Sequence, residues 1–212
     1  MTKFPEKLRL KEIAEEDIYF ARRDRELIQA LHRKPLPLKQ VCCGGQTGVD
    51  RGTLDAVLAL STRIGINAGG WCPRGRLAED GVINARYPLD ETPDEDPAQR
   101  TQWNVRDTDA TLILHQGELS GGTLLTQKVA ARLEKPLLLV DLNQPFSIDE
   151  ICTWLRSHAV RVLNVAGPRE SERPGIAAQS GELINRLLIA AKQDKSDDKT
   201  ESSAERGLQS ST

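Results

Sequence analysis

The chain reads as an α/β protein built on a doubly wound, mainly parallel sheet. Three observations predict it. Strand-like apolar runs alternate with helical segments, the pattern of βαβ units. Several of those runs are continuously apolar rather than alternating, as strands covered on both faces are. Three of them lead straight into glycine-rich turns: Gly44-Gly45-Gln46-Thr47-Gly48-Val49-Asp50, Gly117-Glu118-Leu119-Ser120-Gly121-Gly122-Thr123 and Gly167-Pro168-Arg169-Glu170. Ligands bind at the carboxyl ends of parallel strands, so three such turns point to one crevice. Glycine turns with free N–H groups suit an anionic, phosphate-like guest.

The elements follow in order. Residues 6–33 are dense in charge, with Leu10, Ile13, Ala14, Ala21, Leu27, Ile28 and Leu31 near helical spacing. This predicts one or two amphipathic helices, a helical N-terminal arm over 1–37 whose apolar stripe suits self-association. Lys34-Pro35-Leu36-Pro37 ends it, because proline cannot continue the hydrogen-bond ladder. A ligand-binding domain then spans 38–192. Its first strand is 38–43, followed by a helix from about Asp50 to Ser61 and a second strand from Ile64 to Ala68. Residues 69–82 read as irregular, and 86–97 as a short strand running into an acidic, proline-rich loop. A helix is expected over 98–107 and a clear strand over Ala110–His115. After it come a helix over 122–133 and the most apolar strand, Pro136–Leu142. Ser147 and Glu150 form a capping box for the next helix. Val160–Val165 is the last strand and 175–191 the last helix. Residues 193–212 have almost nothing to bury and read as a disordered tail.

Composition bounds the function. The 212 residues suffice for one ordinary core, although the hydrophobic fraction of 38% is low because of the two ends. Lys+Arg at 29 against Asp+Glu at 31 argues against a nucleic-acid partner held by bulk charge. No apolar run approaches the roughly 20 residues of a membrane helix, and no signal-peptide core opens the chain, so a cytoplasmic location is expected. The four cysteines and three histidines are scattered without zinc-type spacing, so no metal site is assigned.

The first turn is neither a Walker A motif nor G-x-G-x-x-G, which disfavours the P-loop route to ATP hydrolysis. Thr47 and Asp50 form a Thr-x-x-Asp capping pair, and the glycines let a ligand approach the backbone. At the second turn Ser120 or Thr123 can cap a helix whose first N–H groups face a ligand. The loop Gly69–Gly81 holds Arg74, Arg76, Glu79 and Asp80 with Trp71, read as packing, and Cys72, which lacks a nearby histidine to activate it. In the turn after Gly167, the fourth such region once the Gly69–Gly81 loop is counted third, Arg169 and Arg173 are placed to hold an anion, with Glu170 orienting one of them.

The runs GGQTGVDRGTLDA (44–56), GGWCPRGRLAEDG (69–81), RYPLDE (86–91), RTQWNVRDTDATLIL (100–114), SGGTLLT (120–126) and LNVAGPRESERPGI (163–176) resemble the circularly permuted YpsA branch of the SLOG superfamily. Members of that branch carry the label putative molybdenum carrier or molybdenum-cofactor carrier. The resemblance covers about residues 40–190. It implies a Rossmann-like fold that binds nucleotides or nucleotide-derived ligands. Relatives in the wider superfamily, the cytokinin-activating phosphoribohydrolases, cleave N-glycosidic bonds using a glutamate one turn after the glycine motif. Here Thr126 and Gln127 occupy that place, and neither can stabilise an oxocarbenium-like centre.

The site expected from residues and resemblance together has three parts. Backbone N–H groups of Gly45, Gln46, Thr47 and Gly48 and of Gly121, Gly122 and Thr123 cradle the phosphate, with Gly44, Ser120 and Gly167 in the same turns. Arg74 and Arg76, flanking Gly75, and Arg169 beside Glu170 supply countercharge. Asp50, Glu79 and Asp80 meet ribose hydroxyls or a polarised water. The ligand is a nucleotide or a molybdenum-cofactor-like phosphate compound, with binding without chemistry and hydrolysis both open. Catalytic residues are not assigned.

Overall fold

Strand β1 (Gln40–Cys42) turns into helix α1 (Val49–Ile64), which returns to β2 (Asn67–Gly69) alongside β1. α1 forms because Val49, Leu54, Ala56 and Val57 recur on one buried face. It stops at Gly65, whose left-handed backbone (φ 68°) lets its N–H cap Ser61 O. The structure, a computed structural model, describes residues 36–191 together with Tyr19 and Arg23. Apart from those few positions, the expected arm lies outside the described residues, as does the expected tail.

The chain continues through β3 (Trp71–Cys72), a 3-10 turn (Arg74–Arg76), β4 (Leu77–Ala78), β5 (Gly81–Val82) and β6 (Asp90–Glu91). Residues 69–82, expected to be irregular, thus carry strands: β3 pairs with β6, and β4 with β5, as two small sheets. Then come α2 (Pro97–Arg106), β7 (Ala110–His115), α3 (Gly121–Arg132), β8 (Leu137–Asp141), α4 (Ile148–Ser157), β9 (Val162–Ala166) and a helix over 176–191, α5. The Ser147 hydroxyl accepts the Glu150 N–H at 3.4 Å, as its spacing predicts.

Among the described residues the main sheet has five strands in the order β2-β1-β9-β7-β8, and every pairing is parallel. The doubly wound α/β expectation holds. The last strand among the described residues, β9, lies at the sheet centre, pairing Gln40 with Val162 on one side and Ala110 with Leu163 on the other. Starting the count at β9 turns the order into 3-2-1-4-5, the Rossmann order. The fold is therefore a Rossmann sheet whose first strand has moved to the end of the chain.

Right-handed crossovers put α1 and α3 on opposite faces. The core divides accordingly. Leu54 and Val57 of α1, Ile151 and Leu155 of α4, and Ile184 and Leu187 of α5 share the larger apolar cluster. Val105 of α2 with Val129 and Ala130 of α3 form a smaller one. The apolar run 136–142 becomes β8, an edge strand that leaves Leu139 40% exposed, not a doubly covered one.

Candidate functional site

In this strand order the sheet changes direction between β9 and β7, and a crevice opens there at the carboxyl ends of the strands. Gly167 closes β9. A Cβ there would lie 2.3 Å from Leu114 O at the end of β7 and 2.5 Å from Val49 Cγ2 at the start of α1, so only glycine lets the three elements meet. The first and fourth turns are joined by two hydrogen bonds, one between backbones and one to a side-chain hydroxyl. Val49 N–H donates to Pro168 O (3.2 Å) and Glu170 N–H to Thr47 Oγ1 (3.2 Å). At Gly48 the backbone is left-handed (φ 72°), and a side chain would meet Pro168 O at 2.4 Å.

The resulting cleft holds about 210 Å³. Its walls bring together Gln46 and Asp50 from the first turn, Gly122 and Thr123 from the second, and Gly167 and Arg169 from the fourth. Thr126, on the next turn of α3, lines it as well. α3 starts at this cleft with no side-chain cap: neither Ser120 nor Thr123 caps it, contrary to expectation. α1 likewise starts at Gly48 without a side-chain cap. Asp96, Ser147 and Glu170 occupy the N-termini of α2, α4 and α5, Glu170 by accepting the N–H groups of Gly175 and Ala177. The uncapped N-termini are those of the helices entered from the first and second turns.

Asp50 is buried, with its side chain only 4% exposed. Its carboxylate accepts the Gln46 N–H (3.1 Å) and lies 3.6 Å from Nη1 of Arg100. Burial pushes the Asp50 carboxyl above its ordinary value, opposed by Arg100 and by the N–H groups of Gln46 and Gly44. Arg100 was not anticipated. It lies inside the helix of the 100–114 run, where no glycine turn marks it as a site. Asp96, Thr101 and Glu172 also line the cleft without having been singled out. Glu172 Oε2 accepts the Arg169 N–H at 3.4 Å, and its Oε1 is 3.7 Å from the Cβ position of Gly121.

Other expected residues lie beside the cleft and serve the scaffold. Arg76 is fully occupied as a staple, donating to the carbonyls of Ile83 (3.1 Å), Asn84 (3.1 Å), Tyr87 (3.0 Å) and Leu89 (2.9 Å). Arg74 is exposed and paired with Glu95 (3.0 Å), while Gly75 N–H donates to Glu91 (2.6 Å). Asp80 takes both ends of the Arg51 guanidinium (3.2 and 3.1 Å). Glu79 ties three loops together: it accepts from the Thr47 hydroxyl, from Ser171 Oγ (2.5 Å) and from Ser171 N–H (3.3 Å). Those hydroxyl donors, Ser171 first, hold its carboxyl below its ordinary value. Gln46 Oε1 completes the latch by accepting the N–H groups of Thr47 (3.0 Å) and Glu79 (2.9 Å). Glu170 caps α5 and does not orient an arginine. Arg173 donates to the carbonyls of Gln116 (3.2 Å) and Glu172 (2.9 Å). Gly45 packs against the 83–89 loop, and its carbonyl accepts from Arg51 Nε (2.8 Å).

Trp71 packs edge-on against Trp103 at 4.7 Å, with its indole N–H on Asp107 (2.8 Å). All four cysteines are buried and none forms a disulfide among the described residues. Burial pushes the Cys72 thiol up, and the Cys42 thiol up to about 12, which removes the nucleophilic thiolate from both at neutral pH. Among the described residues no helix is long and apolar enough to cross a membrane.

A parallel sheet of Rossmann order, permuted so that its first strand comes last, with a polar cleft at its switch point, defines a ligand-binding domain of the SLOG type. The chain belongs to the circularly permutated YpsA SLOG family, whose model matches residues 41–188. Its structure resembles that of a "putative molybdenum carrier protein" from Syntrophus aciditrophicus SB, with a TM-score of 0.68 and 40% sequence identity. The likeness covers 73% of this chain and 98% of that one. No curated protein matches the chain.

Proposed function

We propose that the cleft binds a phosphate-bearing small molecule of the nucleotide class, or an oxyanion of similar shape, as its main role. The observation that carries this reading is the meeting of the uncapped N-terminus of α3 with Arg100 and Arg169 at the switch point. A helix N-terminus offers unpaired N–H groups and a favourable dipole, worth about 0.3–1 kcal/mol to an exposed anion and more when partly buried. The volume decides which part of the ligand sits inside. Pockets enclosing whole drug-sized ligands span about 300–1,000 Å³. A cleft of about 210 Å³ takes the phosphate end and leaves the remainder at the open mouth.

The same chemistry bears on the name of the structural relative. Among the described residues no three His, Cys, Asp or Glu side chains gather as they would around a metal ion. Amide and guanidinium donors suit molybdate, or the phosphate of a molybdenum cofactor, better than bare metal. The test is a panel of nucleoside mono- and diphosphates, inorganic phosphate and molybdate against the full chain by thermal shift. A ligand at a hundred times its Kd should stabilise the protein by about 2.7 kcal/mol. No response to any member of the panel would sink the reading.

A second reading, hydrolysis of the ligand, is favoured by one observation: the carboxylates of Asp50 and Glu172 line the same cleft. Glu172 comes from the fourth turn, whereas α3 carries Thr126 where an acid is wanted. Chromatography of each stabilising nucleotide after incubation checks it. Release of free base or phosphate by the wild type and not by Glu172→Gln supports hydrolysis; intact nucleotide throughout leaves binding alone.

A further inference from the structure

The arginines around the cleft differ in how well they are satisfied. Arg76 has four carbonyl acceptors, and Arg51 has the Gly45 carbonyl and both oxygens of Asp80. Arg100 has far less. Its side chain is 15% exposed, its Nη1 is 3.6 Å from Asp50, and that spacing is too long for a good hydrogen bond. Its Nε is buried with no hydrogen-bond partner among the described residues. Guanidinium carries five N–H donors in a fixed fork, so a buried one without acceptors is costly, and native structures rarely leave it so without a purpose.

The seat of this side chain explains a glycine. At Gly44 a Cβ would lie 2.0 Å from Arg100 Nη1, 2.4 Å from Cζ and 2.8 Å from Nε, so the guanidinium lies directly on the Gly44 backbone. Gly44 is not among the glycines of positive φ, so no turn geometry demands glycine there. What demands it is room for Arg100.

We infer that Arg100, seated on Gly44 and held from below by Asp50, is the side chain that grips the anionic end of the ligand. An oxyanion at the cleft floor gives the fork the acceptors that the protein does not. Phosphate oxygens match the Nη donors of the fork, rather than the buried Nε, in the charge-assisted manner typical of arginine. Asp50 is then a positioning residue that keeps the fork turned to the cleft. This rests on the proposed function, and it assigns Gly44 a steric role.

Calorimetry of the full chain with AMP, inorganic phosphate and molybdate tests it. Loss of charged hydrogen bonds in Arg100→Gln should weaken the wild type's best probe about tenfold to a hundredfold. Arg100→Lys, which keeps charge without the fork, should recover only part. Gly44→Ala should weaken the same probe comparably at unchanged helix content, because its methyl occupies the guanidinium seat. Should Arg100→Gln fold poorly around a lone Asp50, the neutral pair Asp50→Asn with Arg100→Gln replaces it. In ¹⁵N-arginine-labelled wild type, the Nε–H resonance missing from Arg100→Lys should move on adding the probe. Wild-type affinity in both the Arg100→Gln (or neutral-pair) and Gly44→Ala proteins overturns this inference alone. A wild type that binds none of the probes overturns the proposed function, and this inference with it.

Discussion

Glu79 and Asp50 are two carboxylates that both contact the first turn, and they live in opposite conditions. Glu79 lies in an exposed hairpin loop and is surrounded by donors: two hydroxyls and an N–H. Asp50 lies beneath the turn, shielded from water, with the N–H groups of Gln46 and Gly44 and a loosely placed arginine. On the proposed function, the difference separates groups that fasten loops from groups kept for the ligand. Groups that hold loops together have their valences filled by the protein, whereas the Asp50–Arg100 pair is left underused at the floor of a cleft. Charge density along the sequence marks the first kind, and incomplete satisfaction marks the second.

Three substitutions sharpen or break that contrast. The largest effect is expected for Asp50→Ala, which leaves Arg100 buried without its counter-ion. Urea denaturation should show a loss of about 3–5 kcal/mol. A loss under 1 kcal/mol would mean that the pair is already effectively solvated. Next is Arg76→Gln, which strips four carbonyls of their common donor. It should cost about 1–3 kcal/mol and leave ligand affinity unchanged. A drop in affinity would return Arg76 to the site.

The smallest expected effect is that of Glu79→Gln, less than about 1 kcal/mol at neutral pH, because the latch is solvent-exposed. Its signature is the pH dependence. The Glu79 carboxyl is lowered in the folded state, so its contribution is fully present above the ordinary 4.5 and lost as pH falls through the folded value. Asp50 has the opposite sign. Its raised carboxyl binds a proton more tightly when folded, so stability is favoured below the ordinary 3.8 and lost as pH rises through the folded value. Denaturation midpoints measured across the acid range should lose the first slope in Glu79→Gln and the second in Asp50→Asn. Retention of either slope would reassign it to another group.

The sheet was readable because its evidence is local. Apolar runs such as Ala110–His115 and the glycines after them declare strands and turns within a dozen residues. What the sequence leaves open is where a long side chain finds its partners. Arg76 and Arg100 look alike as letters, and only the fold reveals that one meets the carbonyls of 83–89 and the other almost nothing. Glu170 and Ser120 were misread for the same reason: whether a polar residue caps a helix depends on the turn around it. β8 shows the complementary limit. Its leucines read as doubly covered, but edge position is a property of strand order, which composition does not encode.

The central place of β9 also bears on how the protein is made. During translation β1, β7 and β8 leave the ribosome well before the strand that must lie between β1 and β7. Until it arrives, those strands present open edges of the kind that invite pairing between neighbouring nascent chains. Such distant pairing makes assembly slow. A premature stop codon just before residue 162 would therefore be expected to yield an aggregating polypeptide rather than a smaller working domain.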